Sequence, residues 1–272
     1  MNVKAYARML KGFVQQSGKN TCPYCGSETS SASASFFCSY CEAFIPDAKA
    51  VSTNAIQLAK SINSSVAAND FATALQKYES LPDYAANPYL PYSEALVNIE
   101  RSNYEASLIN YSLQGFMDEN ITRRNASLAA FSSARFLLNK AIATAKSALQ
   151  GGSETLPYLH AMFLSYIKLG DLKAASWVLE RVKKLGNQML EAYESMVLES
   201  NIGNFSKSLE QSEKLLSKDL FVFNAAHYMA LSLFKKGRAG EALSLLEAMR
   251  GGGNGAAQEA LIKEIRESVK VL

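Results

Sequence analysis

The chain has 272 residues, 48% of them hydrophobic and 19% charged, and a net charge of +3. That composition suits a folded chain with ample core, and so small a charge gives no general case for nucleic-acid or membrane binding. No stretch approaches the roughly 18 uncharged apolar residues that span a bilayer.

Residues 1–19 are expected to form a basic amphipathic helix, "MNVKAYARMLKGFVQQ", in which Lys4, Arg8 and Lys11 alternate with apolar residues. With Lys19 they are the candidate nucleic-acid contacts, since no acidic residue precedes Glu28. The segment lacks the continuous apolar run and cleavage site of a secretory signal. The expected compartment is therefore a reducing cytoplasm, where clustered cysteines more often bind metal than pair as disulfides. Two disulfides are the competing expectation for an exported chain.

Residues 20–46 hold all four cysteines, Cys22, Cys25, Cys38 and Cys41, as C-x2-C, twelve residues, then C-x2-C. Each pair can present two thiolates from one tight turn, and two pairs complete a closed tetrahedral shell. Gly26 follows Cys25 where such a turn needs positive φ. "SFF" before Cys38 reads as a short strand and "SETSSASAS" as the loop feeding it. The segment resembles a zinc ribbon, which implies structural Zn2+, with iron as the less favoured ion. Glu42 departs from that pattern by standing where the second turn has glycine. Four thiolates leave no open coordination position, so no catalysis is expected at the metal.

Residues 52–250 repeat with a period near 34. Gly170, Gly203 and Gly237 are spaced by 33 and 34. A small residue falls five later (Ala175, Ser208, Ala242) and an apolar one twelve later (Val182, Leu215, Met249). The same frame extends upstream to turns at Asn69 and Ser102. Such a period marks stacked helical units, none able to bury its apolar face alone. Residues 121–150 lack the turn and are either a degenerate repeat or one long helix. "GGSET" then restarts the array with a helix cap at Ser153 or Thr155. "RGGGNG" reads as a linker without the lysine of a phosphate loop, and residues 256–272 as a C-terminal capping helix.

The turn glycine, the following Phe or Tyr and the small residue resemble the tetratricopeptide repeat (TPR). The resemblance implies a mainly α fold, a right-handed superhelix of about six helical hairpins, behind the ribbon. It also implies an inner groove lined by Tyr89, Tyr92 and Leu96, by His160 and Leu164, by Tyr193 and Val197, and by His227, Leu231 and Phe234. That lining is aromatic and aliphatic and suits an amphipathic or apolar segment of a protein partner. The chain's own N-terminal helix is a second candidate occupant.

No H-E-x-x-H, G-x-S-x-G or glycine-rich phosphate fingerprint is present, and no enzyme is expected. The expected function is a non-enzymatic adaptor or scaffold. The alternatives are a nucleic-acid-associated factor using the ribbon and basic helix, and a self-assembling component of a secretion or virion structure.

Overall fold

The computed structural model describes residues 2–16, 18–31, 36–45, 51–109, 117–151, 156–216, 222–252 and 255–270. The fold is mainly α, with twelve helices and four short strands among the described residues. They begin with α1 (Val3–Gln16), β1 (Gly18–Thr21), β2 (Glu28–Ser31), β3 (Phe36–Phe37) and β4 (Phe44–Ile45). Next come α2 (Thr53–Ala67), α3 (Phe71–Tyr78), α4 (Tyr89–Ser107), α5 (Met117–Gln150) and α6 (Leu156–Leu169). The C-terminal set is α7 (Leu172–Lys184), α8 (Gln188–Asn201), α9 (Phe205–Leu216), α10 (Val222–Lys235), α11 (Ala239–Ala248) and α12 (Gly255–Lys270).

Two compact units divide the chain. One holds Met1–Cys22, Ser27–Ser52 and Gly170–Leu272, and the other holds Pro23–Gly26 and Thr53–Leu169. Of residues 20–46, Pro23–Gly26 fall in the second unit and the rest in the first.

In the first unit α7 packs on α8, α9 lies against both α8 and α10, and α11 packs on α10. Two of the turns joining these helices share one closure. After α8 and after α10 the chain enters the left-handed region at Gly203 (φ 83°) and Gly237 (φ 76°). The next N–H reaches back five residues to close the helix, Asn204 to the Glu199 carbonyl at 2.8 Å and Arg238 to the Leu233 carbonyl at 2.9 Å. The small residues predicted for close packing, Ala175, Ser208 and Ala242, are fully buried. Helix α1 buries Val3 and Leu10 and packs on α11, while Phe13 meets Phe223 of α10 edge-on.

The second unit uses the same turn between α2 and α3 without glycine. Asn69 adopts φ 59°, and the Asp70 N–H bonds the Ser65 carbonyl at 2.9 Å. Asparagine tolerates this conformation better than most residues. Asp70 then caps α3 by accepting from the Thr73 N–H at 3.2 Å. The core here includes Ile62, Phe71, Ala74, Tyr78, Leu81, Leu90 and Val97, with Leu58 and Val66 packed against it.

Two expectations are corrected. Ser102 makes no turn, because α4 runs unbroken to Ser107. Serine has no cheap route into the left-handed region, and Ser102 instead donates to the Ser127 carbonyl of α5 at 2.9 Å. Part of the predicted loop, Glu28–Ser31, is the strand β2. Residues 121–150 belong to one helix, α5, of 34 residues and about 51 Å. The predicted caps Ser153 and Thr155 lie outside the described residues.

Candidate metal centre and its docking surface

Two small antiparallel hairpins carry the cysteines. β1 pairs with β2, Gly18 opposite Ser31 through Thr21 opposite Glu28. β3 pairs with β4, Phe36 opposite Ile45 and Phe37 opposite Phe44. Each hairpin turns through a knuckle closed by the same bond: Cys22 N–H to the Ser27 carbonyl at 2.9 Å, and Cys38 N–H to the Ala43 carbonyl at 3.0 Å. The residue after the second cysteine of each pair is left-handed, Gly26 at φ 74° and Glu42 at φ 61°. Glu42 therefore reproduces the glycine conformation despite its side chain.

The four sulfur atoms lie within 4.8 Å of one another, all buried, and none is in a disulfide. Cys22 Sγ and Cys41 Sγ are 3.7 Å apart. A tetrahedron of ~2.3 Å metal–sulfur bonds has edges of about 3.8 Å, so this spacing fits one ion shared by thiolates. The Tyr40 and Cys41 N–H groups both lie 3.4 Å from Cys38 Sγ and can donate to it. Such donors stabilise thiolate charge and orient the ligand. The cluster can hold a metal ion.

Gly26 is required twice over in the second unit. Beyond its positive φ, a Cβ there would stand 2.0 Å from the Ala59 carbonyl oxygen of α2. Next to it, the Tyr24 ring stacks on Tyr89 at 5.2 Å.

Within the first unit, the second knuckle is seated on α8 and α10. The Phe37 ring lies 5.3 Å from that of Tyr193, and the Tyr193 hydroxyl donates to Glu42 Oε2 at 2.5 Å. Tyr228 donates to the other carboxylate oxygen at 3.4 Å. Burial, then the Glu42 charge, push the Tyr228 phenol well above its ordinary value, which keeps it a donor. Asn224 Nδ2 donates to the Cys38 carbonyl at 3.3 Å and reaches Tyr193 Oη at 3.4 Å. Behind the first hairpin, Ser30 N–H donates to the Gly252 carbonyl at 3.1 Å.

The comparisons with known proteins come out empty. No family model, no curated protein and no solved structure matches this chain.

The predicted groove residues divide between the units. In the second unit, Tyr89, Tyr92, His160 and Leu164 are buried and Leu96 is half-buried. His160 stacks with Phe163 at 6.5 Å and meets Tyr89 edge-on at 6.4 Å. In the first unit, Tyr193 and Val197 are fully buried, with Tyr193 facing the chain's own knuckle. His227, Leu231 and Phe234 are half-buried on α10. Of the four candidate nucleic-acid contacts, Lys4, Arg8 and Lys11 are exposed on α1, and Lys19 sits 3.5 Å from Glu28.

Sequence reasoning missed Phe37, Asn224 and Tyr228 as the seat of the knuckle. The signal was Glu42 itself. A glutamate in a glycine position costs backbone strain, and its carboxylate meets that cost with two hydroxyl donors supplied from far along the chain.

Proposed function

We propose that this chain is a non-enzymatic adaptor or scaffold: a TPR-like helical array that carries a structural zinc ribbon as part of its own packing. The observation that carries the reading is the identical left-handed closure at Gly203 and Gly237, 34 residues apart, between helices that stack on their neighbours. Repetition of one turn with one small-residue contact is how a repeat array builds a continuous core.

Zinc is the ion favoured by four buried thiols in a closed set, and iron is the rival with the same ligand preference. With all four positions taken by sulfur, such an ion would staple the fold and leave no place for substrate. Because Tyr193 bonds Glu42, that part of the inner surface serves the chain itself, and a partner is expected elsewhere. The expected compartment remains the cytoplasm.

Affinity capture from a native lysate, with and without nuclease, tests the reading. One dominant protein that survives nuclease supports the adaptor. Partners lost with nuclease would shift the function to the exposed Lys4, Arg8 and Lys11 and the ribbon. Growth in size across a concentration series would favour self-assembly instead.

A further inference from the structure

Four of the ten exposed large hydrophobic residues among those described lie on α5: Ile121 (52%), Leu128 (55%), Phe131 (50%) and Phe136 (70%). Further along the same helix Ala134, Leu138, Ala141 and Ala145 are buried, and α5 packs on α4 and α6. Ile121, Arg124, Leu128, Phe131 and Arg135 follow the i, i+3, i+7, i+10, i+14 spacing that keeps residues on one helix face. Residues 120–150 contain no aspartate or glutamate. Arg123 spends its charge on Glu105 at 2.9 Å. Arg124 and Arg135, both exposed, make no ion pair among the described residues.

We propose that this face docks an acidic amphipathic helix of a partner protein. The partner's apolar residues would cover Leu128 and Phe131, and its carboxylates would reach Arg124 and Arg135. The inference rests on the adaptor reading and gives the partner a site away from the groove.

Charge decides between the possible occupants. A second copy of the chain is disfavoured, because an antiparallel α5 pair that sets Leu128 against Phe131 also sets Arg124 against Arg135. Like charges opposed in this way repel. An anionic membrane is disfavoured by number, since lipid-binding segments cluster about four to eight cations and this face offers two. Two planar guanidinium forks three helical turns apart instead match discrete carboxylates, which they bind through paired charge-assisted hydrogen bonds. Ile121 to Arg135 spans about 21 Å, the length of a partner helix of roughly fifteen residues.

The test places photoreactive benzoylphenylalanine at Ser132, exposed beside this stripe, in the full chain, and irradiates it in native lysate. The cross-linked peptide is sequenced and synthesised, and its affinity is measured by fluorescence anisotropy against the wild type and an Arg124→Glu/Arg135→Glu variant. The expected peptide is net acidic with helical apolar spacing. Its affinity should fall at least tenfold against the variant and recover when its glutamates are changed to lysine. Circular dichroism and the melting temperature of the variant should be unchanged, because both arginines are exposed. Cross-linking only to lipid, to a second copy or to a peptide without acidic residues overturns the proposal, and so does equal affinity for both chains. A partner recovered by whole-chain capture but absent from the Ser132 cross-link overturns the site while leaving the adaptor reading standing. Recovery of no partner by either route fails both.

Discussion

Tyr193 donates a 2.5 Å hydrogen bond to Glu42, a residue 151 positions earlier in the chain. Glu42 sits at φ 61° immediately after the last cysteine, so this bond joins a strained knuckle to the buried side of helix α8.

Two effects compete at Glu42. A left-handed non-glycine residue costs about 1–2 kcal/mol, and a hydrogen bond to a charged group contributes about 1.5–3 kcal/mol. Glu42→Gly relieves the first and loses the second, so a net loss of about 1 kcal/mol is expected. Glu42→Ala keeps the strain and loses the bond, and should be the worse of the two by about 1 kcal/mol. Tyr193→Ala should cost about 3–5 kcal/mol, as removal of a buried aromatic ring does. Urea denaturation of the four chains checks the order. A glycine variant more stable than the wild type would show that the Tyr193 bond contributes less than the left-handed backbone costs.

Replacing Cys22 and Cys25 with serine should release one equivalent of metal, read with a chromogenic chelator. Most helicity should survive, since the helices bury their own apolar faces, while the melting temperature of the first unit falls. That fall should exceed the effect of Glu42→Ala, because metal binding stabilises a small ribbon by more than any one hydrogen bond. Unchanged stability in the absence of metal would remove the staple from the account.

Gly26 and Gly203 form a matched pair. Both have positive φ, but a Cβ at Gly203 meets nothing within 4 Å, whereas one at Gly26 collides with the Ala59 backbone. Gly203→Ala should cost only the conformational term, about 1 kcal/mol. Gly26→Ala should cost more and weaken metal binding as well, because the knuckle must move. Equal losses in thermal denaturation would mean that α2 gives way without penalty.

Glu94 carries a pH dependence of predictable sign. Desolvation raises its pKa above the ordinary carboxylate value, against the lowering effects of the Tyr84 hydroxyl bond and of Lys140. The folded state therefore holds its proton to higher pH than the unfolded chain. This group's contribution is present below the ordinary carboxylate pKa and declines as pH rises through the raised one. Glu94→Gln keeps an acceptor for Tyr84 and should flatten that part of the stability profile, without loss of stability at neutral pH. A variant with the parent slope would place the dependence in another group.

By itself the sequence determined what local chemistry dictates. The C-x2-C pairs are legible because a closed thiolate site needs four ligands on two tight turns, and the sulfurs do converge. Gly203, Gly237 and Asn69 are legible because they enter the left-handed region cheaply, and each ends a helix as expected. Asp70 and Asp171 cap α3 and α7, accepting from Thr73 and Ala174. Ser102 failed because a small residue in the repeat frame serves equally well as a turn or as a packing contact, and only the neighbouring α5 decides which. The seat of the knuckle was beyond local reach for the same reason. Phe37, Glu42, Tyr193, Asn224 and Tyr228 carry no shared spacing, and their contacts exist only once long-range packing has brought helices α8 and α10 against the second cysteine knuckle.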